Sequence, residues 1–269
     1  IQEAENFNWD WRVWALVLVG AATMVLFFRW QSRQGGSALV PLALFQDRNF
    51  SLAGATISTV GFAISTYIIP WMIYVQTVQG FTPTQAALLV LPSGVVSGLL
   101  SPWVGKLTNT HDPKPFAITG LTLAALSMGI SALITTPAVD PRWMYAISVV
   151  YGVANSLMWG PLSMIATRNL DPRLAGAGSS VYNTTRQIGG VIGSAAIAAM
   201  MSSQLAAKLG DGAGAGDMAT AGQSTGPLPE ALHEPFALAM GNSIWLPCAV
   251  IAAGAVVACF FARTKSWND

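Results

Sequence analysis

Charge is what this chain has least of. Only 9% of its 269 residues are Asp, Glu, Lys or Arg, against about 25% in a soluble domain. So little charge cannot keep the remaining apolar surface in water, which excludes an ordinary soluble domain and leaves lipid as the covering solvent. The net charge is +1, too small a field to attract nucleic acid, and no nucleic-acid partner is expected. Histidine and cysteine are also scarce, with two of each. Cys248 and Cys259 share one apolar run. Helical spacing sets them about 16 Å apart, too far for a disulfide, and both are expected as small core residues. All twelve acidic residues, with His111 and His233, fall in loops or at the edges of apolar runs. The spans therefore lack the buried acids or histidines of a proton relay. They also lack the base that an intramembrane nucleophile needs and clustered metal ligands. Neither enzyme chemistry nor a metal or cofactor is expected.

What the chain does have is apolar length. Hydrophobic residues make up 53% of it, and the mean hydropathy is +0.52. Seven runs reach or approach the ~20 residues needed to cross a bilayer. They cover about 11–30, 50–78, 83–107, 115–135, 143–166, 176–205 and 236–262. Trp9, Trp11 and Trp14 form an aromatic belt at the first. Residues 35–49 connect the first two runs, and the apolar patch from Leu39 to Phe45 is expected to lie along the membrane surface. Gly210 to Gly226 reads as a flexible surface loop. No basic leader and cleavage site precede the first run, so no signal peptide is read. With Ile1 where Met would stand, the chain is expected to be a piece of a longer protein.

Orientation follows the basic residues. Arg29, Arg33, Arg48, Lys106, Lys114, Arg168, Arg173, Arg263 and Lys265 fall on one side, and Arg12, Arg142 and Lys208 on the other. The richer side is read as cytoplasmic, which puts the N-terminus outside and the C-terminus in the cytoplasm. The expected class is an all-α integral membrane protein with seven spans.

Arg186 remains, inside the sixth run. An arginine at the centre of a membrane helix costs roughly 2.5–3.5 kcal/mol on insertion scales. Asn183, Arg186, Gln187, Gly190 and Ser194 share one helix face by their spacing. Arg186 either snorkels to the headgroups or serves a cavity or an interhelical lock. Tyr67, Pro70, Trp71 and Tyr74 share a face of the second run, which lines a pocket for lipophilic or cationic molecules or packs as an aromatic belt. Asn155 and Trp159 in the fifth run leave two roles open, an interhelical hydrogen bond or a ligand contact. Prolines interrupt several runs, Pro70 and Pro161 among them, where neighbours must satisfy the freed backbone. Gly189, Gly190 and Gly193 make a smooth side for close helix approach.

Four stretches carry a family likeness. They are Pro41-Leu42-Ala43-Leu44-Phe45-Gln46-Asp47-Arg48-Asn49-Phe50; Tyr74-Val75-Gln76 with Gly80-Phe81-Thr82-Pro83 and Leu91-Pro92-Ser93-Gly94; Gly105-Lys106-Leu107-Thr108 before Pro113-Lys114-Pro115; and Asp171-Pro172-Arg173-Leu174-Ala175-Gly176 running on to Asn183, Arg186, Gln187, Gly189 and Gly190. With them the chain resembles the C-terminal part of a major facilitator superfamily transporter of the fourteen-helix drug:proton antiporter branch (EmrB/QacA type). The third stretch looks like the second copy of the superfamily's cytoplasmic loop motif, although His111 and Asp112 stand where basic residues are usual.

The resemblance implies an extra central transmembrane helix at 1–34, a cytoplasmic linker with an interfacial segment at 35–49, and the C-terminal six-helix transporter bundle at 50–269. It implies a multi-pass protein of a bacterial inner or plasma membrane, partnered by the lipid bilayer and by a missing N-terminal half that bears the proton-coupling acid. The implied activity is export of small lipophilic, often cationic compounds by alternating access, with the proton gradient as energy source. The expected substrate-binding residues are Tyr67, Trp71, Tyr74, Asn155, Trp159, Asn183, Arg186 and Gln187. The expected gating positions are Pro70, Gly105, Lys106, Pro161, Gly189 and Gly190. The same machinery could export an endogenous lipid, siderophore or peptide, and a non-transporting membrane sensor or scaffold is a third reading. A channel is disfavoured, because no filter motif or charged constriction repeats.

Overall fold

The computed structural model describes residues 11–31, 40–209 and 228–262. Within them every regular element is a helix. In chain order these are α1 (Trp11–Gln31), α2 (Arg48–Thr77), α3 (Pro83–Thr110), α4 (Pro113–Ile134), α5 (Pro141–Thr167), α6 (Ala175–Leu209) and α7 (His233–Cys259). Short 3-10 turns precede α2, α6 and α7. The helices α2 to α7 are six spans long and apolar enough to cross a membrane. The apolar stretch of α1, Leu18–Gln31, is shorter. Six crossings therefore stand on length and composition among the described residues, while α1 as a whole runs 21 residues. Trp9, the Gly-rich stretch from Gly210 to Gly226, and the basic residues Arg263 and Lys265 lie outside the described residues.

The helix starts show why acid is confined to span edges. Asp47 accepts the amide of Phe50 at 2.7 Å, and Asp112, Asp140 and Asp171 accept the amides of Lys114, Arg142 and Arg173. Each satisfies a donor that a helix N-terminus leaves open. Thr82 and Gln85 close a reciprocal capping box at the start of α3, and proline occupies the first turn of α3, α4 and α5. Gly80, at φ +67°, turns the chain between α2 and α3.

α2 is the central helix. It packs on α6, α7 and α5, while α4 joins α5 to α7 and α3 lies against α5. Side chains at the α2–α6 crossing are almost absent. A Cβ on Gly61 would collide with the carbonyl oxygen of Arg186, and one on Gly189 with that of Ser58. A Cβ on Gly193 would sit 2.8 Å from the Phe62 carbonyl oxygen. Backbone thus meets backbone, the close approach that small residues permit in a medium where apolar side chains gain little by leaving lipid. Outward faces are apolar and uncovered, with Trp103 72% and Leu133 68% exposed. In a membrane those faces meet lipid.

Three expectations change. Leu44 is fully buried and reaches the Gly178 notch of α6, while Ala43 and Phe45 of the same patch are exposed. Cys259 is exposed rather than a core residue, and Cys248, half-buried, donates its thiol to the Ala125 carbonyl. Gly105 to Leu107 fall inside α3 as the run to 107 leads one to expect, and Thr108 joins them rather than a loop, because the helix continues to Thr110 and only His111 and Asp112 connect it to α4.

The end of α7 is tied down. Asn49 donates to the Ala262 carbonyl and accepts the Ala262 amide, while Arg48 and Lys114 donate to the carbonyls of Phe260 and Phe261. Two cations therefore meet the carbonyl end of a helix, where they are favoured.

A substitution at the α2–α6 crossing tests this packing. Gly189→Val is expected to destabilise the complete protein by about 2–4 kcal/mol, since the obstruction is backbone and cannot turn aside. Gly98→Ala, with nothing within 4 Å of its added carbon, is expected to change stability by less than about 1 kcal/mol. Thermal unfolding in detergent would compare them.

Candidate functional site

α2, α3 and α5 enclose a cavity of about 300 Å³. Its walls come from period. On α2, Ile64, Tyr67, Ile68 and Trp71 recur at helical spacing; on α5, Met144, Ser148, Tyr151 and Asn155 do the same. α3 supplies Leu89 and Ser93. Pro92, just before Ser93, interrupts the α3 hydrogen-bond ladder, and the Ser93 amide donates to Ser148 Oγ of α5 at 3.2 Å. A proline break is thus repaired by a neighbour beside the cavity. Gly152 takes the Ser93 backbone directly, with less than 3 Å left for a Cβ.

Aromatic rings dominate the wall. Tyr67 and Trp71 stack at 6.1 Å between centroids, and Tyr67 meets Tyr151 at 5.8 Å. The Tyr67 hydroxyl pairs with Ser131 Oγ at 2.9 Å, which leaves the ring for the cavity and anchors the polar end in α4. Tyr74 continues the series, 5.9 Å from Trp71, but it is fully buried and is not a wall residue. Its hydroxyl donates to the Thr136 carbonyl at 2.6 Å, and Gln79 Nε2 donates to Tyr74 and Thr136 together. That group locks the end of α2 to the loop after α4. Pro70 is buried within α2, between Tyr67 and Trp71 in the chain.

Among the described residues Asn155 makes no interhelical bond. It donates to the Tyr151 carbonyl and accepts Trp159 Nε1 at 3.0 Å, both within α5. The reason is spacing, since residues four apart lie one above the other. Trp159 in turn carries Arg186 of α6, with the guanidinium carbon 5.7 Å from the ring centroid. The cation is held by protein at an indole face, an interaction of about 0.5–2 kcal/mol. Asn183 and Gln187, on the same helix, are exposed, and the Asn183 amide donates to Ser179 one turn back.

The cavity therefore gathers Tyr67, Trp71 and Asn155. Trp159 and Arg186 adjoin it through Asn155, while Tyr74, Asn183 and Gln187 stand apart. Gly189 is buried at the α2 crossing, and Gly190 faces Ser65 Oγ there. Pro161 is buried in α5. Gly105 and Lys106 lie near the far end of α3, with Lys106 exposed. The sequence reading missed Ser93, Ser148 and Tyr151. Tyr151 was within reach of it, since Tyr151, Asn155 and Trp159 follow one another at four-residue steps on α5.

Comparison with known proteins gives these residues a context. The family described as Major Facilitator Superfamily matches residues 4–194. An uncharacterized MFS-type transporter of Mycobacterium tuberculosis is 39% identical over 97% of this chain and 45% of its own length. A multidrug resistance protein, Stp, of the same species is 28% identical over 77% of this chain and 38% of its own. A tetracycline resistance determinant of Streptomyces rimosus is 29% identical over 76% and 60%. The chain thus spans roughly half the length of the relatives it matches.

The Tyr74 lock can be separated from the cavity. Tyr74→Phe removes two hydrogen bonds, the one given to Thr136 and the one accepted from Gln79, and leaves the ring in place. It is expected to lower stability by about 1 kcal/mol and to leave ligand affinity unchanged, as read by thermal unfolding and by binding of a lipophilic dye.

Proposed function

The chain belongs to the major facilitator superfamily, a transporter family rather than an enzyme family, and from that premise we propose that it is the C-terminal part of a fourteen-helix, proton-driven exporter of lipophilic compounds. The aromatic cavity between α2, α3 and α5 carries this reading. It is mostly apolar, has few polar groups, and is about the size that small ligands use. The relatives that are named for multidrug and tetracycline resistance support export of drugs. Their greater length supports a second half that completes the site. α1 then serves as the extra central helix, 35–49 as the cytoplasmic linker, and 50–269 as the six-helix bundle.

In this mechanism two bundles rock about a site at their interface. α2 and α5 give the ring faces that receive the compound, and ring faces attract cations as well as apolar groups. No described span carries an acid beyond its first turn. The proton carrier, and any counter-charge for a cationic compound, is therefore assigned to the remainder of the longer protein. Pro70, Pro161, Gly189 and Gly190 lie where α2, α5 and α6 would have to bend or slide. Gly105 and Lys106 would meet the other half at the cytoplasmic end, in a bacterial cell membrane.

Efflux of ethidium from proteoliposomes holding the complete protein tests this. An imposed pH gradient is expected to drive efflux, and Tyr151→Ala is expected to reduce it about tenfold at equal protein level, the effect of losing one good aromatic contact. Gradient-independent leakage, or a Tyr151→Ala rate equal to wild type, would contradict the proposal. Competition of ethidium efflux by lipid extract would shift the substrate to an endogenous lipid.

A further inference from the structure

We propose that Trp159 and Arg186 form an anion subsite at the edge of the aromatic cavity, so that the compounds carried include ring systems bearing a carboxylate or sulfonate. This rests on the cavity being the ligand site. A guanidinium has five N–H donors in a rigid fork and suits a two-oxygen anion better than any other side chain. Arg186 uses none of them among the described residues: its recorded contact is the face of Trp159, which accepts no hydrogen bond from the fork's edge. One turn earlier on α6, Tyr182 is only 6% exposed, and its hydroxyl has no partner. Two donor groups one turn apart on α6 thus lack acceptors among the described residues, and unmet donors in a dry medium are costly.

The position is built on both sides. The backbone of Arg186 is nested against Gly61 of α2. The ring beneath its side chain is oriented by the bond from Trp159 Nε1 to Asn155 Oδ1. Asn155 is itself a cavity wall. One indole therefore separates the cavity's polar edge from an uncompensated positive charge. The snorkelling alternative does not describe this arrangement, since the guanidinium ends over a ring of α5. A ligand with its ring among Tyr67, Trp71 and Tyr151 and an anionic group past Asn155 would satisfy the fork. A carboxylate from the other half of the longer protein is the competing occupant.

The test uses the complete detergent-purified protein and two matched probes, pyrenebutyrate and the neutral pyrenebutanol, with binding read by equilibrium dialysis. Wild type is expected to bind the anion about tenfold or more tightly than the alcohol, as charge-assisted hydrogen bonds imply. Arg186→Gln is expected to abolish that preference while leaving pyrenebutanol affinity unchanged. Arg186→Lys, which keeps the charge but not the fork, is expected to retain a part of it. Equal binding of both probes to wild type would overturn the subsite and leave the cavity standing, the result expected if a protein carboxylate fills the place. A preference that persists in Arg186→Gln would overturn it too. Binding of neither probe would overturn the cavity reading and the subsite with it. The wild-type comparison decides the matter even if the variants do not fold.

Discussion

Contact between the backbones of α2 and α6 is the constraint on which the other geometry hangs. Lipid is as apolar as leucine, so burying side chains between helices gains little there, and close packing has to supply the cohesion. The crossing supplies it by removing side chains: Gly61 receives the carbonyl of Arg186, and Gly189 receives that of Ser58. The same principle recurs where Gly120 meets α5, Gly152 meets α3 and Gly241 meets α4. Because the Arg186 backbone is pressed into α2, its side chain has a fixed origin, and it ends over Trp159 of α5. One small residue thereby links three helices and the single cation of the described spans' interior.

Around that crossing, polar groups inside the bundle are spent within it. Serine and threonine hydroxyls return to carbonyls three or four residues back, as in Thr66, Ser127, Ser131 and Thr135. Tyr67 and Tyr74 send their hydroxyls into α4 and its following loop. The rings then face the cavity, or the space beside it, as apolar surface. This is why a wall with several tyrosines offers few polar groups to a ligand. Arg186 and Tyr182 depart from that pattern.

Acid at the span edges has two consequences. Asp47, Asp112, Asp140 and Asp171 satisfy helix starts, and none of them is free to enter the membrane. The interior of the described spans is therefore left without a carboxylate.

Much of this was legible in the residues. Membrane class, the bounds of α2 to α7 to within a few positions, the shared face of Tyr67 and Trp71, and the packing side of Gly189 and Gly193 all follow from local rules: scarcity of charge, run length, helical period, and proline or aspartate at a helix start. Other features depended on which helices become neighbours. Leu44 was read as surface because its own segment is short and apolar, and only the notch at Gly178 buries it. The residues leave Asn155 either a bond across helices or a ligand contact, yet Trp159, one turn away on its own helix, takes its amide oxygen. Tyr74 shared a face with Trp71 but lay beyond the cavity's end, against Thr136. The guanidinium of Arg186 had no destination until α5 and α6 were set side by side. Period and composition act over a few residues, so they mark a helix and its faces. What a face meets is settled by contacts between residues far apart in the chain, Gly61 with Arg186 and Tyr74 with Thr136 among them, and no local pattern encodes those.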